Sequence, residues 1–293
     1  MQITIAALEA LRTGFKRDFQ KGLAKATPQY EVFATPVSSA TKVETYGFLG
    51  DFPIFRRWIG EKRIKSLDEK AYLLTNEDFE VTRGIHKNKI RDDNLGLYGP
   101  LVTGWGDSAG QLYDRLSFEA LAAGHQRPCY DGQNYFDTEH PVGDEVVSNM
   151  SGAGAVQPWF LIDNSQALRP ILLQKRQEPE FAMITDPQSD HVFKTGEYLI
   201  GAEARAAAGY TFWQIAHRST ATLNEANYVA ACQAMEALTD DEGEPLGIKP
   251  THVIVGTSNK AAARNLFKKM NLTGGESNIY FEDVAIIEAR RLP

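Results

Sequence analysis

Residues 43–124 read VETYGFLGDFPIFRRWIGEKRIKSLDEKAYLLTNEDFEVTRGIHKNKIRDDNLGLYGPLVTGWGDSAGQLYDRLSFEALAAG. Three textures follow one another. Residues 43–67 mix aromatics with paired charges and keep no clean period. Residues 71–93 read as two strands joined by a turn at Asn76-Glu77-Asp78: Tyr72 and Leu74, then Phe79 and Val81, alternate with polar residues, the period-2 pattern of a half-exposed strand pair. Residues 98–124 read as one long helix that begins near Pro100, a good first-turn residue, and ends at Gly124. An isolated hairpin is marginal in water, so this one needs a surface to lie on. An aromatic, arginine-rich limb running through a hairpin into a long helix makes a poor enzyme core. It suits a limb that reaches over a neighbouring copy of the same chain.

Within the limb, Phe48, Phe52, Phe55 and Trp58 lie beside Arg56, Arg57 and Arg63. Aromatics and arginine are enriched where protein surfaces bury each other. The alternative is a private hydrophobic cluster under a loop, and the residues alone leave both open. Lys62, Lys65 and Lys70 read as solvated charges. In the helix, Leu101, Trp105, Leu112, Leu116 and Leu121 can share one broad face. Gly104, Gly106 and Gly110 each cost about 1 kcal/mol relative to Ala, so they point to close backbone packing, a bend, or a helix that starts later.

Upstream, Leu8, Leu11, Phe15 and Phe19 recur three or four apart, an amphipathic helix over residues 1–24 ended by Gly22. It packs on its own domain or docks on a neighbour. Two prolines make residues 28–43 an extended connector. Downstream, residues 125–157 form a Gly- and Asp-rich loop. WFLID, ILLQKR, FAMI, EYLIGAEA and YTFWQIAH then suggest an antiparallel sheet of four or five strands. A helix at 224–238 with an Asn or Thr cap, a buried strand THVIVG, a capped helix at 258–270 and one or two closing strands read as a small α/β or α+β domain distinct from that sheet.

Bulk properties bound the function. At 293 residues the chain suits two domains or one large irregular one. With 43% hydrophobic and 24% charged residues it is globular. A net charge of −7 argues against tight sequence-specific nucleic-acid binding, while leaving room for a protein that merely encloses nucleic acid. No apolar run spans a membrane, and no signal-peptide core opens the chain. Two cysteines, Cys129 and Cys232, are too few for a disulfide framework and suit a reducing cytoplasm.

One loop is chemically tempting. His125, Cys129, Asp131, Asp137 and His140 are all zinc-ligand types, but their spacing fits no standard zinc pattern. A Cys129–His140 hydrolase needs a thiolate in an electropositive setting, which nothing flanking Cys129 provides. A turn at Asp131-Gly132 accounts for the composition. SGAGAV at 151–156 lacks the GK[ST] ending of a phosphate loop and reads as a mobile linker. Asp240, Asp241, Glu242 and Glu244 read as a solvated turn.

The ordered set GFKRDFQKGL, TKVETYGFLGDFPIFRRWIGEKRI, YLLTNEDFEVT, IRDD, YGPL, CYDGQNYFDTEHPVG, SNM, PWFLID, RPILLQKR, AEARAAAGYTFWQIAHRS and NEANYVAACQAMEALTDDEGEPLGIKPTHVIVG resembles the Mu-like phage major head subunits, the gpT type of major capsid protein. Each motif is weak alone; their joint order covers nearly the whole chain. The resemblance implies an α+β fold of the HK-97 type: an N-terminal arm at 1–42, an extended loop at 43–92, a peripheral domain with spine helix at 93–219, and an axial domain at 220–293 whose last strand returns to an earlier sheet or stays in place. It implies a self-assembling shell protein, in a virion after assembly and in the host cytoplasm before it. Hexamers and pentamers of this chain would enclose double-stranded DNA without sequence-specific binding, without catalysis, cofactor, metal or membrane contact.

Inter-subunit contacts are expected at Phe52, Phe55, Arg56, Arg57, Trp58, Arg63, Tyr72 and Phe79. No Lys–Asn cross-link is expected. The chain starts almost directly in its arm helix, so a scaffold is expected to be a separate protein or a segment already removed, and a maturation protease is a further possible partner. Two alternatives remain: a cytoplasmic metal-dependent hydrolase using the His125–His140 loop, and a nanocompartment shell that packs protein cargo.

Overall fold

The computed structural model describes residues 4–47, 72–92, 96–154, 156–271 and 274–292. The arm helix α1 spans Ile5–Lys25, capped by the Thr4 hydroxyl, which accepts from Ala7 N–H at 3.2 Å. Leu8, Phe15 and Phe19 are its buried stripe. Gly22 does not end this helix. It lies inside it, because the helix needs a bare backbone there to approach a second helix (below).

The connector is more structured than its prolines suggest. After a short 3-10 turn at Tyr30–Val32, strand β1 (Ala34–Ser38) joins a sheet edge. An edge is where Pro36 is tolerated, since its missing N–H is not needed there. Strand β2 (Val43–Tyr46) follows, then β3 (Tyr72–Thr75) and β4 (Glu77–His86). The hairpin expected across Asn76–Asp78 is not formed. β3 pairs antiparallel with β2, Tyr46 opposite Tyr72, whereas β4 pairs antiparallel with a later strand. One residue, Asn76, separates two strands of different sheets.

A short helix α2 (Lys87–Arg91) leads to the spine. The spine is two helices, α3 (Tyr98–Gly110) and α4 (Leu112–Ala123), broken at Gln111. Leu101 does not share the buried face; it is half exposed, and Val102 and Gly106 face inward instead. The glycine reading holds at Gly106 and Gly110. A Cβ on Gly106 would meet Phe19 O at 2.0 Å, one on Gly22 would meet Thr103 O at 2.0 Å, and one on Gly110 would meet the Ala26 Cβ. At Gly104 there is open space. So α1 and α3 touch backbone to backbone.

Short strands β5 (His140–Val142), β6 (Glu145–Val147) and β7 (Met150–Ser151) interrupt the 125–157 loop. Then come β8 (Trp159–Ile162), the long β9 (Ile171–Ile184), helix α5 (Asp190–Thr195) and the long β10 (Glu197–Tyr210). ILLQKR and FAMI belong to one strand. Pro179 falls where the β9–β10 register shifts, and a bulge absorbs a residue that cannot donate to the ladder. A 3-10 turn (Trp213–Ile215), β11 (Ala216–Ser219), α6 (Glu225–Glu236), β12 (His252–Val255), α7 (Lys260–Phe267) and β13 (Ala285–Glu288) complete the chain. Asn224 caps α6 as expected; α7 has no side-chain cap.

The strands after Trp159 divide between two sheets. The first has the order β1-β9-β10-β4, the second β13-β12-β8-β11-β7. The expectation of a closing domain separate from the preceding sheet is therefore corrected: β8 and β11 pair into the same sheet as β12 and β13, across the 219/220 boundary. β8 is buried on both faces, and β11 and β12 pair along its two edges. One large core joins both sheets with α4, α6 and α7. A smaller one seats α1 and α3 on Phe181, Met183, Tyr198 and Ile200 of β9 and β10.

Candidate assembly elements and the buried Cys129–His140 cluster

The β2–β3 ribbon brings residues 46 and 72 side by side. Its root is tied down by polar groups. Glu44 Oε1 accepts from Ala40 N–H at 2.7 Å, Thr41 N–H at 2.9 Å and Ser39 Oγ–H at 2.9 Å. The Thr41 and Ala40 backbone donors, then Ser39, hold the Glu44 carboxyl down to about 2. Asn76 is buried. Its N–H donates to Lys42 O at 2.9 Å, and its Nδ2 donates to Ser39 Oγ at 2.8 Å and Thr41 O at 2.9 Å. Tyr46 Oη donates to Gln174 Oε1 of β9 at 2.8 Å. The ribbon is thus fastened to the first sheet at its base. Sequence reading passed over Glu44 and took Asn76 for a turn residue, which an Asn between two strands suggests equally well.

Of the residues expected at subunit contacts, Phe52, Phe55, Arg56, Arg57, Trp58 and Arg63 lie outside the described residues, as does Phe48. Tyr72 and Phe79 are described, and both pack on the main core of their own subunit. Arg115 lies over the Phe79 ring at 5.6 Å, a cation–π contact. Phe79, Trp105, Leu112, Arg115, Pro179 and Ala204 line a shallow groove of ≈ 130 Å³ where the spine breaks over the sheet.

The tempting loop assembles only in part. Cys129 Sγ–H donates to Asp131 Oδ1 at 3.1 Å, and His140 Nδ1 lies 2.7 Å from Asp131 Oδ2. His140 is fully buried and stacks on Trp213, ring centroids 4.1 Å apart. His125 instead meets the Ala122 carbonyl, and Asp137 accepts from Asn134 and Thr138. Burial, then the Asp131 charge and hydrogen bond, push the Cys129 thiol far up. Burial opposes ionisation of Asp131, but hydrogen bonds from His140 and Cys129 outweigh it and hold that carboxyl low. The thiol is a proton donor to a carboxylate, the reverse of an activated nucleophile.

Comparison with known proteins decides the family. The Mu-like prophage major head subunit gpT family matches residues 8–292. The chain is 38% identical to the major capsid protein of Escherichia phage Mu, over 95% of each chain. It is also 38% identical to the Mu-like prophage FluMu major head subunit of Haemophilus influenzae, over 91% of this chain and 90% of that one. The chain belongs to the Mu-like major head subunit gpT family.

Solved structures agree with this assignment. The chain is similar to the procapsid protein of bacteriophage JBD30 (TM-score 0.86, 39% identity, 99% of this chain and 100% of that one). It is also similar to the JBD30 capsid protein (TM-score 0.81, 32% identity, 100% of each chain). The head subunit is a structural protein with the α+β capsid fold, and not an enzyme. The hydrolase and nanocompartment alternatives find no support, because the family is one of major head subunits. No described helix is long and apolar enough to cross a membrane.

Proposed function

We propose that this head subunit assembles into hexamers and pentamers that close into a shell around double-stranded DNA. The stretch carrying Phe52, Phe55, Arg56, Arg57, Trp58 and Arg63 makes the contact with the adjacent copy. The observation that supports this reading is the fastened β2–β3 ribbon: a stiff root with Tyr46 opposite Tyr72 serves a stretch whose aromatics and arginines need a partner surface. Tyr72 and Phe79 serve from inside the subunit, setting the root and the groove floor. Each neighbour contact can be modest because a closed lattice sums many of them.

The net charge of −7 suits a container that does not grip DNA. A separate scaffold, a maturation protease and a residence in the host cytoplasm before assembly complete the proposal. The JBD30 capsid is also known decorated with minor capsid protein trimers, and such a trimer is the proposed outer partner here.

Sedimentation velocity with negative-stain imaging tests this on the full chain, alone and with its scaffold. Shells, tubes or rings of five or six are expected from the native sequence. The double variant Arg57→Ala/Trp58→Ala should stay small while melting like the native subunit. Normal assembly of that variant, or its unfolding, overturns the role given to the limb.

A further inference from the structure

We propose that Arg218 on β11 takes a carboxylate from an adjacent copy of the head subunit, an inference that rests on the assembly of that subunit into a shell. Arg218 is the one Arg or Lys buried among the described residues, 9% exposed. Its backbone is fixed in the second sheet. Arg218 N–H donates to Asn149 O at 3.0 Å, and its cross-strand neighbours are Phe160 on β8 and Met150 on β7, both apolar. β7 is the last strand of that sheet and only two residues long, so the arginine lies one short strand from the sheet edge.

Among the described residues nothing answers its charge. Nε is buried with no hydrogen-bond partner, and the guanidinium donates to no described residue and pairs with no described carboxylate. Burial lowers its proton affinity, and no neighbouring carboxylate raises it. The buried carboxylates are engaged elsewhere: Asp114 with Gln29 and Tyr30, Asp131 with Cys129 and His140, Asp163 with Ser165 and the Lys249 N–H. A guanidinium keeps its proton at any working pH. The free subunit therefore carries a largely buried cation without a counter-charge, which costs stability until one is supplied.

Chemistry sets the occupant. The planar fork of an arginine matches a carboxylate or a phosphate. A track of DNA phosphates asks for clustered cations, whereas β11, β7 and β8 carry no other Arg or Lys. Carboxylates are in surplus on this chain, with 38 acidic residues against 31 basic, so each copy brought alongside offers a counter-charge that its neighbour lacks. Pairing at that contact turns a cost of the lone subunit into a gain of the shell, and makes Arg218 one of the terms that favour assembled over free chains.

The test compares Arg218→Met with the native full chain, with scaffold where shells need it. Unassembled, the variant should melt at or above the native temperature, because an apolar side chain replaces an unpaired buried cation. Assembly, followed by light scattering and sedimentation, should need a free-subunit concentration about tenfold or more higher. A role inside the subunit would instead move melting down. Arg218→Lys then identifies the partner: a zero-length carbodiimide should join the new amine to a carboxylate of another copy in assembled shells and not in free subunits, read by mass spectrometry on mixed isotope-labelled and unlabelled chains. Lower melting of Arg218→Met, or unchanged assembly with no inter-copy amide at residue 218, overturns the proposal while native shells still form. Loss confined to DNA-filled shells, with empty shells unaffected, assigns Arg218 to phosphate and equally overturns it. Failure of the native chain to form any shell overturns the shell reading itself, and this contact with it.

Discussion

Gly104 and Gly106 sit two residues apart in α3, and the same substitution should act in opposite directions at them. Changing glycine to alanine in a helix interior gains about 1 kcal/mol from backbone entropy alone. At Gly104 nothing lies within 4 Å of the added methyl, so Gly104→Ala should be stabilising by about that amount. At Gly106 the new Cβ would stand 2.0 Å from Phe19 O, 2.9 Å from Phe19 C and 3.0 Å from Leu23 N. These are backbone atoms of α1, so no rotamer change relieves them, and α1 must back away by about 1 Å. A gap of that size forfeits a quarter to a half of each dispersion contact along the seam, and overpacking of this kind costs about 1–3 kcal/mol.

The propensity gain of about 1 kcal/mol offsets part of that, so Gly106→Ala should come out destabilising by about 1 kcal/mol. The two variants then differ by about 2 kcal/mol, or roughly 4 °C in Tm for a chain of this size. Thermal melts of the unassembled subunit measure the difference. Limited proteolysis should release residues 5–25 sooner in Gly106→Ala. Equal melting temperatures and equal proteolysis would refute the backbone-to-backbone seam.

Asp114 Oδ1 accepts from Gln29 N–H at 2.8 Å and Tyr30 N–H at 2.7 Å, so Asp114→Ala should cost about 2–3 kcal/mol by stranding two donors, read by denaturant unfolding, with Asp114→Asn milder. Burial lowers His217 from its ordinary 6.5 to about 4. Between those values the unfolded chain binds a proton that the folded one refuses. Stability should therefore fall by about 3 kcal/mol as pH drops from 6.5 to 4 and change little above that range; in His217→Gln that part of the acid slope should disappear. Asn76→Ala removes the two Nδ2 bonds that fasten the ribbon, so amide exchange at 43–46 and 72–75 should quicken by about tenfold or more while β9 and β10 stay protected.

Local patterns were legible where one face met one environment. The α1 stripe of Leu8, Phe15 and Phe19, the Asn224 cap and the strand at His252–Val255 follow from period and capping alone. Family resemblance carried the architecture further than period could. Partners in space were not legible. Asn76 has the composition of a turn, yet its buried amide joins two sheets, because hydrogen bonds to Ser39 and Thr41 come from a segment thirty-odd residues away. ILLQKR and FAMI read as two strands, though a bulge accommodates Pro179 between them at a position where β9 has only one neighbour. The hydrogen bonds among Cys129, Asp131 and His140 were not legible either. Spacing is blind to a glycine at φ +90 that folds Cys129 and Asp131 together.

The second sheet sets an order on how the subunit is made. β8 emerges from the ribosome well before β12, yet β12 lies between β8 and β13 and pairs along one edge of β8, a strand whose side chains are buried on both faces. Until residues 252–255 are synthesised, β8 has an open flank, and β12 in turn waits for 285–288. A growing chain therefore cannot finish its larger core before residues 285–288 are made. The ribbon and α1, by contrast, are already out. Premature contacts between nascent neighbours on one messenger would meet subunits with an unsealed sheet edge, a template for mispairing. The larger core therefore closes only when its last strand has been made.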